Sequence, residues 1–455
     1  MSNDPPTTPQ PTLVRRLLTQ VGIDQAVLFA LSARIWQIVS GPITLILIAT
    51  YLSPAQQGFY YTFASLIALQ SFFELGFVIV ITNVASHEWA KLTLTPTGQI
   101  TGNAEALSRL VSLGRLVFKW YAIASIAFVL LVGMAGLLFM SQVDQTVLNW
   151  QTPWLALVLC TGMLLWTQPF SALLEGCNQV ATVYKFRLIQ TVGGSFVVWT
   201  TLLFGGNLWC TVTASLVIIG RDLGLLLIRY RTFFAPFWSV PTGPRMHWHS
   251  EIWPMQWRLA ASGLVNYFAL SLFSPIMFFY YGPTVAGRMG MTWTLTTMLQ
   301  VVALAWVQTK VPHFGILIAR KEYTELDDFF KRTLLVSISV IGLGALGGWL
   351  GVVLLNSYGF SLAERMLPPL PTGIFFLGVV LMQVSQCQSA YLRAHRQEPI
   401  MVMSVTTSLL TGLLVWLLGA QSGPLGAAVA YLATAVLVVI WETRIWQRCR
   451  IAWHT

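Results

Sequence analysis

Four charged residues stand inside long apolar runs, where a charge either finds a partner or does work. Arg34 lies in the run 26–50, Glu74 in 59–85, and Arg221 and Asp222 in 209–228. An arginine at the centre of a membrane helix costs about 2.5–3.5 kcal/mol on insertion scales, so it faces a cavity or a partner. At 1.5 Å per residue, Arg34 sits roughly 12 Å from one end of its run. Glu74, on a run of opposite direction, sits roughly 16 Å from that same face. The pair is predicted at one depth on adjacent helices. There they neutralise each other as an ion pair, or Glu74 holds Arg34 in place as a cavity cation for an anionic substrate. Arg221 and Asp222 point about 100° apart on a helix, so they are expected to take different partners. Arg221 either snorkels toward the interface or joins Arg34 and Arg288 as a candidate cavity cation for the substrate, and Asp222 meets another helix or water. Glu74 and Asp222 are the acids deep enough to carry a coupling proton or cation. Arg288, at the end of the run 284–308, either meets an emerging anionic group or anchors the interface.

The backbone adds two further candidates. Gly41-Pro42 and Ser274-Pro275 interrupt the first and seventh apolar runs, each past the midpoint. Breaks in corresponding helices of two halves point to a transport site, although proline kinks are also common in membrane helices. Gly41, Pro42 and Pro275 are therefore candidates for gating or for a structural kink. Other motifs carry less. His247-Trp-His249 lacks further metal ligands nearby and reads as a solvated loop. Glu322 to Asp328 reads as an exposed amphipathic loop helix. Gly344-x-x-x-Gly348 allows close helix packing. Sugar stacking by Tyr60, Tyr61, Tyr280 or Tyr281 is a further option beside an interfacial role. The five cysteines have neither metal nor redox spacing, and no metal or cofactor is expected.

The elements that position these residues follow from composition. Hydrophobic residues make up 56% of the 455 and charged residues 9%, with a mean hydropathy of +0.69. Soluble proteins carry roughly 25% charge, so the apolar excess must face lipid. Twelve runs have membrane length, near 26–50, 59–85, 117–140, 153–176, 188–206, 209–228, 257–281, 284–308, 333–355, 371–392, 399–419 and 424–442. Of the 26 Lys and Arg residues, 22 fall on one side of that alternating map. Arg365 and Arg288 fall opposite, and Arg34 and Arg221 fall within runs. The positive-inside rule then places both termini in the cytoplasm. The net charge of +10 is a topology signal and does not call for nucleic acid.

The predicted organisation is a cytoplasmic tail (1–25, without a cleaved signal), six helices (26–228), a Pro-rich cytoplasmic linker (229–256), six helices (257–442) and a cytoplasmic tail (443–455). Weak internal similarity supports two halves. Pro54-x-x-x-Gly58 is followed by Gln70, and Pro283-x-x-x-Gly287 by Gln300. A repeat in that register is parallel, with its axis along the membrane normal. The sequence contains no P-loop, HExxH motif or nucleophile elbow, and no loop large enough for a catalytic domain. A gradient-driven transporter is expected, not an enzyme.

The stretch LSARIWQIVSGPITLILIATYLSPAQQGFYYTFASLIALQSFFELGF from Leu31 resembles the start of bacterial polysaccharide export proteins. These belong to the multidrug/oligosaccharidyl-lipid/polysaccharide (MOP) exporter superfamily. LLEGCNQVATVYKFRLIQ from Leu173, YYGPTVAGRMGMTWTL from Tyr280 and AWVQTKVPHFGILIARKEYTELD from Ala305 agree with it. The resemblance implies an all-α polytopic membrane protein, MATE-like, with two six-helix lobes around a central cavity worked by alternating access. It implies flipping of a polyprenyl-pyrophosphate-linked oligosaccharide across the bacterial inner membrane for cell-surface polysaccharide. A coupling H+ or Na+ and polysaccharide polymerase machinery are the partners it suggests. In related lipid II flippases, arginines on helices 1 and 8 face the pyrophosphate, and Arg34 and Arg288 match them by helix. This chain departs in having twelve spans rather than fourteen and few intramembrane cations. Multidrug efflux on the same fold is the alternative, and a polysaccharide polymerase or ligase a more distant one.

Overall fold

A computed structural model describes residues 25–142, 149–241, 243–253, 256–257, 267–268, 270–395 and 397–454. The segment Leu13–Val21 and Arg15, Arg16, Arg258 and Arg396 lie outside the described residues, as does the side chain of His249. The first half holds α1 (Gln25–Tyr51), α2 (Pro54–Ile67), α3 (Gln70–Glu74), α4 (Phe77–Trp89), α5 (Ala104–Ser141), α6 (Gln151–Gly176), α7 (Val180–Leu203) and α8 (Trp209–Leu223). The second holds α9 (Phe273–Gln308), α10 (Val311–Arg320), α11 (Tyr323–Ser357), α12 (Pro369–Ala394) and α13 (Met401–His454). A two-stranded antiparallel hairpin, Leu92–Leu94 with Ile100–Gly102, joins α4 to α5.

Eight described helices are long and apolar enough to cross a membrane, or nine when the bent pair α2–α3 with α4 counts as one span. Two of the eight are hairpins. In α9 the rings of Phe273 and Trp293 lie 4.3 Å apart, whereas twenty residues of straight helix span about 30 Å. The chain reverses there at Gly282 (φ 82°) and in α13 at Gly423 (φ 61°), each followed by proline. A β-carbon is strained in that backbone region, so glycine is required at both turns. With the hairpins divided, the described helices correspond to the predicted spans, the seventh being described mainly at its far end. Large side chains on α5 point away from the protein: Ile123, Ile126 and Leu130 are 62–68% exposed. On an all-α polytopic membrane fold this is the lipid-facing surface.

In the first half the break does not fall where the sequence places it. α1 continues through Pro42. On either side of the proline, Trp36 donates to Ser195 (3.1 Å) and Trp199 donates to Thr44 (2.9 Å), so α7 splints the helix. The interrupted helix of the first half is instead the second span. Leu75 (φ 51°) and Gly76 (φ 67°) are both left-handed, and the two pieces bend by 43°. In the seventh span, Ser271 and Leu272 are non-helical just before Pro275. Proline lacks the N–H that would bond residue 271, and its ring crowds that carbonyl.

The two halves meet at the end remote from most basic residues. Gln57 donates to the carbonyls of Gly287 (2.9 Å) and Arg365 (3.0 Å). Gly58 faces Pro283 so closely that a β-carbon would run into the Pro283 carbonyl oxygen. Reciprocally, a β-carbon on Gly287 would stand 2.8 Å from Gly58 N and 3.1 Å from Pro54 O. The two P-x-x-x-G turns therefore pack on one another.

At the basic end the Pro-rich connection is not a free tether. It lies on the first bundle, where Ser108 donates to the Pro244 carbonyl (3.1 Å) and Met246 N donates to Ser112 (3.2 Å). Trp248 packs on Phe77 and Trp120, next to the break in the second span. His247 is exposed, as the solvated-loop reading expects, but Trp248 docks the segment on the first bundle. Arg109 bridges Glu88 (2.8 Å) and Glu251 (2.5 Å). The His247 backbone N–H, and then Arg109, hold the Glu251 carboxyl below its usual 4.5. Its contribution to docking is thus complete above pH 4.5 and is lost as pH falls below that value through the depressed one. Limited trypsin cleavage at Arg245 should stay slow from pH 8 to 5, and Glu251→Gln should accelerate it about twofold to fivefold, as expected for an exposed pair of roughly 0.5–1 kcal/mol.

The amphipathic helix at that end is α10, with Phe314 and Leu317 buried and Ile316 exposed. Glu322 to Asp328, expected as that helix, leads into α11.

Candidate functional site

α1 presents two opposite faces. Trp36 and Thr44 face α7, while Arg34, Gln37, Ile38 and Pro42 border a cleft against the second bundle. The cleft has a volume of about 490 Å³ and is walled by Met298 and Val302 of α9, Gly344 and Gly348 of α11, and Phe376 of α12. The glycines that read as a packing motif leave room here: a β-carbon on Gly344 would stand 3.0 Å from Leu299, and one on Gly348 the same distance from Phe376. Across the cleft Gly41 approaches the flexible end of Met298. The lining is apolar apart from Arg34, Gln37 and Thr297.

Arg34 is exposed and makes no ion pair among the described residues. The expected Arg34–Glu74 pair is absent. Arg34 opens to the cleft, whereas Glu74 turns into its own bundle beside Gln168 of α6.

The second candidate is a polar cavity of about 260 Å³ lined by Gln70, Gln168, Ser171, Glu175, Arg187 and Asp222, among others. Arg221 does not snorkel away from Asp222. Its Nε and Nη2 lie 2.8 and 2.6 Å from Asp222 Oδ1, and Nη1 donates to Gln190 (2.9 Å). A long flexible side chain can fold back on its neighbour despite a 100° offset of the Cα–Cβ bonds, which the sequence argument overlooked. Thr167 donates to Asp222 Oδ2 (2.9 Å). Arg187, expected in a loop, lies within α7 and pairs with Glu175 at 2.7 Å. Thr167→Val removes a donor to a buried carboxylate, and should cost about 1.5 kcal/mol and lower the melting temperature of the detergent-solubilised protein by roughly 1–2 °C.

A third polar site was not anticipated. Glu442 of α13 is fully buried between two hydroxyls of α12, Ser385 and Ser389, the latter at 2.6 Å. It stood at the last residue of the twelfth predicted span, where a charge looks interfacial. The available signal was the polar stripe Ser385, Gln388, Ser389 inside an apolar run.

Arg288 donates to the Glu364 carbonyl (2.8 Å) and so ties down the loop before α12. It does not line the Arg34 cleft, whose α9 wall begins about two helical turns further on at Leu295. Tyr61 is buried. Tyr281 donates to the Ala420 carbonyl, and Tyr280 accepts from Trp416.

The sequence matches no protein-family model and no curated protein. The fold does have solved relatives. An inward-facing multidrug resistance MATE family transporter of the MOP superfamily aligns with a TM-score of 0.57 at 12% identity, over 89% of this chain and 98% of its own. A Vibrio cholerae MATE transporter aligns at 0.54 and 15%, over 95% and 97%. A MOP superfamily transporter from Pyrococcus furiosus, for which a reverse polarity of the binding pocket suggests a different function, aligns at 0.51 and 10%, over 93% and 95%. At these identities the likeness is one of fold: the chain has the fold of MOP superfamily transporters.

Proposed function

We propose that this membrane transporter flips a lipid-linked, pyrophosphate-bearing oligosaccharide from the cytoplasmic to the outer leaflet by alternating access. The observation that carries the proposal is an unpaired guanidinium on the border of an apolar cleft between the two bundles. A lipid-linked anion has both parts that such a site takes. Its phosphates suit a planar guanidinium, and its prenyl chain suits the apolar walls. The chain can remain among lipid tails while the head group crosses about 30 Å of hydrocarbon through a lined path. In the proposed orientation the basic end is cytoplasmic, the bundles are closed at the outer end, and an inside-negative potential favours expulsion of the anion by about 2.3 kcal/mol per charge per 100 mV. Arg221 occupies Asp222, which leaves Glu74 and Glu442 as the deep acids without an ion-pair partner among the described residues and so as the candidates for a coupling proton. Arg288 acts as a loop anchor in this scheme.

Efflux of cationic drugs is the second function to test, because fold relatives carry multidrug names. Helix α1 offers a cation no acid, only Arg34. In proteoliposomes, the chain is expected to move a polyprenyl-pyrophosphate glycan to the opposite leaflet and to leave a lipophilic cationic dye undisturbed. Dye transport without glycan movement would overturn the assignment in favour of efflux.

A further inference from the structure

On α5, away from the Arg34 cleft, two cations one helical turn apart sit at the end of an apolar stripe. Arg115 and Lys119 border a pocket of about 310 Å³ whose opposite wall is Val240, Pro241 and Arg245 of the docked connection. That wall is fixed, because Arg115 donates to the Trp238 and Ser239 carbonyls and Met246 N donates to Ser112. Nearby Arg109 is neutralised by two carboxylates. Lys119 and Arg245, by contrast, have no ion-pair partner among the described residues. Three positive groups thus converge on one pocket with no acid in its lining.

The same face of α5 continues at helical spacing into a second depression. Ile126, Leu130, Leu159, Met163 and Trp166 line a groove of about 470 Å³ between α5 and α6, on the lipid-facing surface. From Arg115 to Ile126 is eleven residues, about 16 Å along the helix. A phosphate in the basic pocket therefore lies at head-group level above a groove that an acyl chain fills. The exposed Trp238 stacks on Phe118 beside the pocket, as indoles do at the membrane interface.

We infer that Arg115, Lys119 and Arg245 form a binding site for an anionic phospholipid of the surrounding leaflet, with an acyl chain in the α5–α6 groove. Charge complementarity selects the anionic head, and the adjoining groove selects a lipid over a free anion. The site is separate from the transport cleft and does not depend on the identity of the transported substrate. Because Arg245 belongs to the docked connection, a bound lipid also clamps that connection to α5.

The test is native mass spectrometry of the full chain in detergent with added phosphatidylglycerol or phosphatidylcholine. The wild type should retain one phosphatidylglycerol and release phosphatidylcholine. Lys119→Ala/Arg245→Ala should weaken retention on the order of 30-fold, as expected for losing two surface charges. Leu130→Trp fills the groove while leaving all three cations, and should weaken retention as well. Equal retention of both lipids, or unchanged retention in both variants, overturns the site. Protection by inorganic phosphate equal to that by phosphatidylglycerol, with Leu130→Trp silent, makes it a soluble-anion site and overturns the lipid assignment. Unchanged melting temperatures without lipid show that the variants are folded.

Discussion

Gly58→Leu is expected to abolish transport while leaving both bundles folded and inserted. Most glycine substitutions in membrane helices meet side chains that can swing aside. Here the first obstacle is the carbonyl oxygen of Pro283, followed by its carbonyl carbon and Cα, all backbone. That backbone belongs to the sharp Gly282 turn and cannot retreat without undoing it. Ordinary overpacking costs about 1–3 kcal/mol, and a backbone-to-backbone contact offers less relief. The strain is present only when the two bundles are closed at this end, so the cheapest escape is to part them. A carrier that cannot close one end cannot alternate. Gly287→Ala should be milder, since its β-carbon would approach Gly58 N at 2.8 Å and Pro54 O at 3.1 Å. A label pair on α2 and on the chain after Gly282 should read a longer separation in Gly58→Leu than in wild type. Wild-type transport by Gly58→Leu would show that this contact is not a working closure.

The same pair of turns shows how much was legible in the sequence. Pro54-x-x-x-Gly58 and Pro283-x-x-x-Gly287 suggested two related halves, and the structure sets the two motifs against each other. The apolar runs that become helices were legible, because hydropathy marks their length and a helix rises by a fixed step. Azimuth was not. Arg34 faces the cleft and Glu74 stands beside Gln168 in its own bundle, and no rule of spacing tells which neighbour a helix turns toward. Local backbone escaped as well. Pro42 suggested a break that α7 splints, while the real break at Leu75 requires a left-handed leucine, which local sequence signals rarely announce. Glu442 was hidden by its position at a span boundary, where a buried acid and an interfacial one read alike.

Arg34→Ala separates function from stability by sign. Removing an unpaired arginine from an apolar helix relieves an insertion cost of about 2.5–3.5 kcal/mol at most, less here because the side chain is exposed at the cleft. Expression and thermal stability should therefore hold or rise. If the guanidinium receives a pyrophosphate, its loss removes a charge-assisted contact in a partly dehydrated cleft, and flipping of the lipid-linked glycan should fall roughly 100-fold. Arg34→Lys keeps the charge and forfeits the bidentate fork, so an intermediate rate is expected. A merely structural arginine predicts the reverse pattern, with lower stability and rates that track the amount of folded protein. The drug-efflux alternative predicts a third: a cationic substrate gains when the positive charge leaves, so Arg34→Ala would be faster than wild type. The three outcomes differ in the sign of at least one measurement. Proteoliposome flipping rates, normalised to folded protein, together with melting temperatures of the three chains, decide among them. A charge in the apolar part of the chain with no ion-pair partner among the described residues reduces stability, and under the proposed function binding of the anion is the compensating gain.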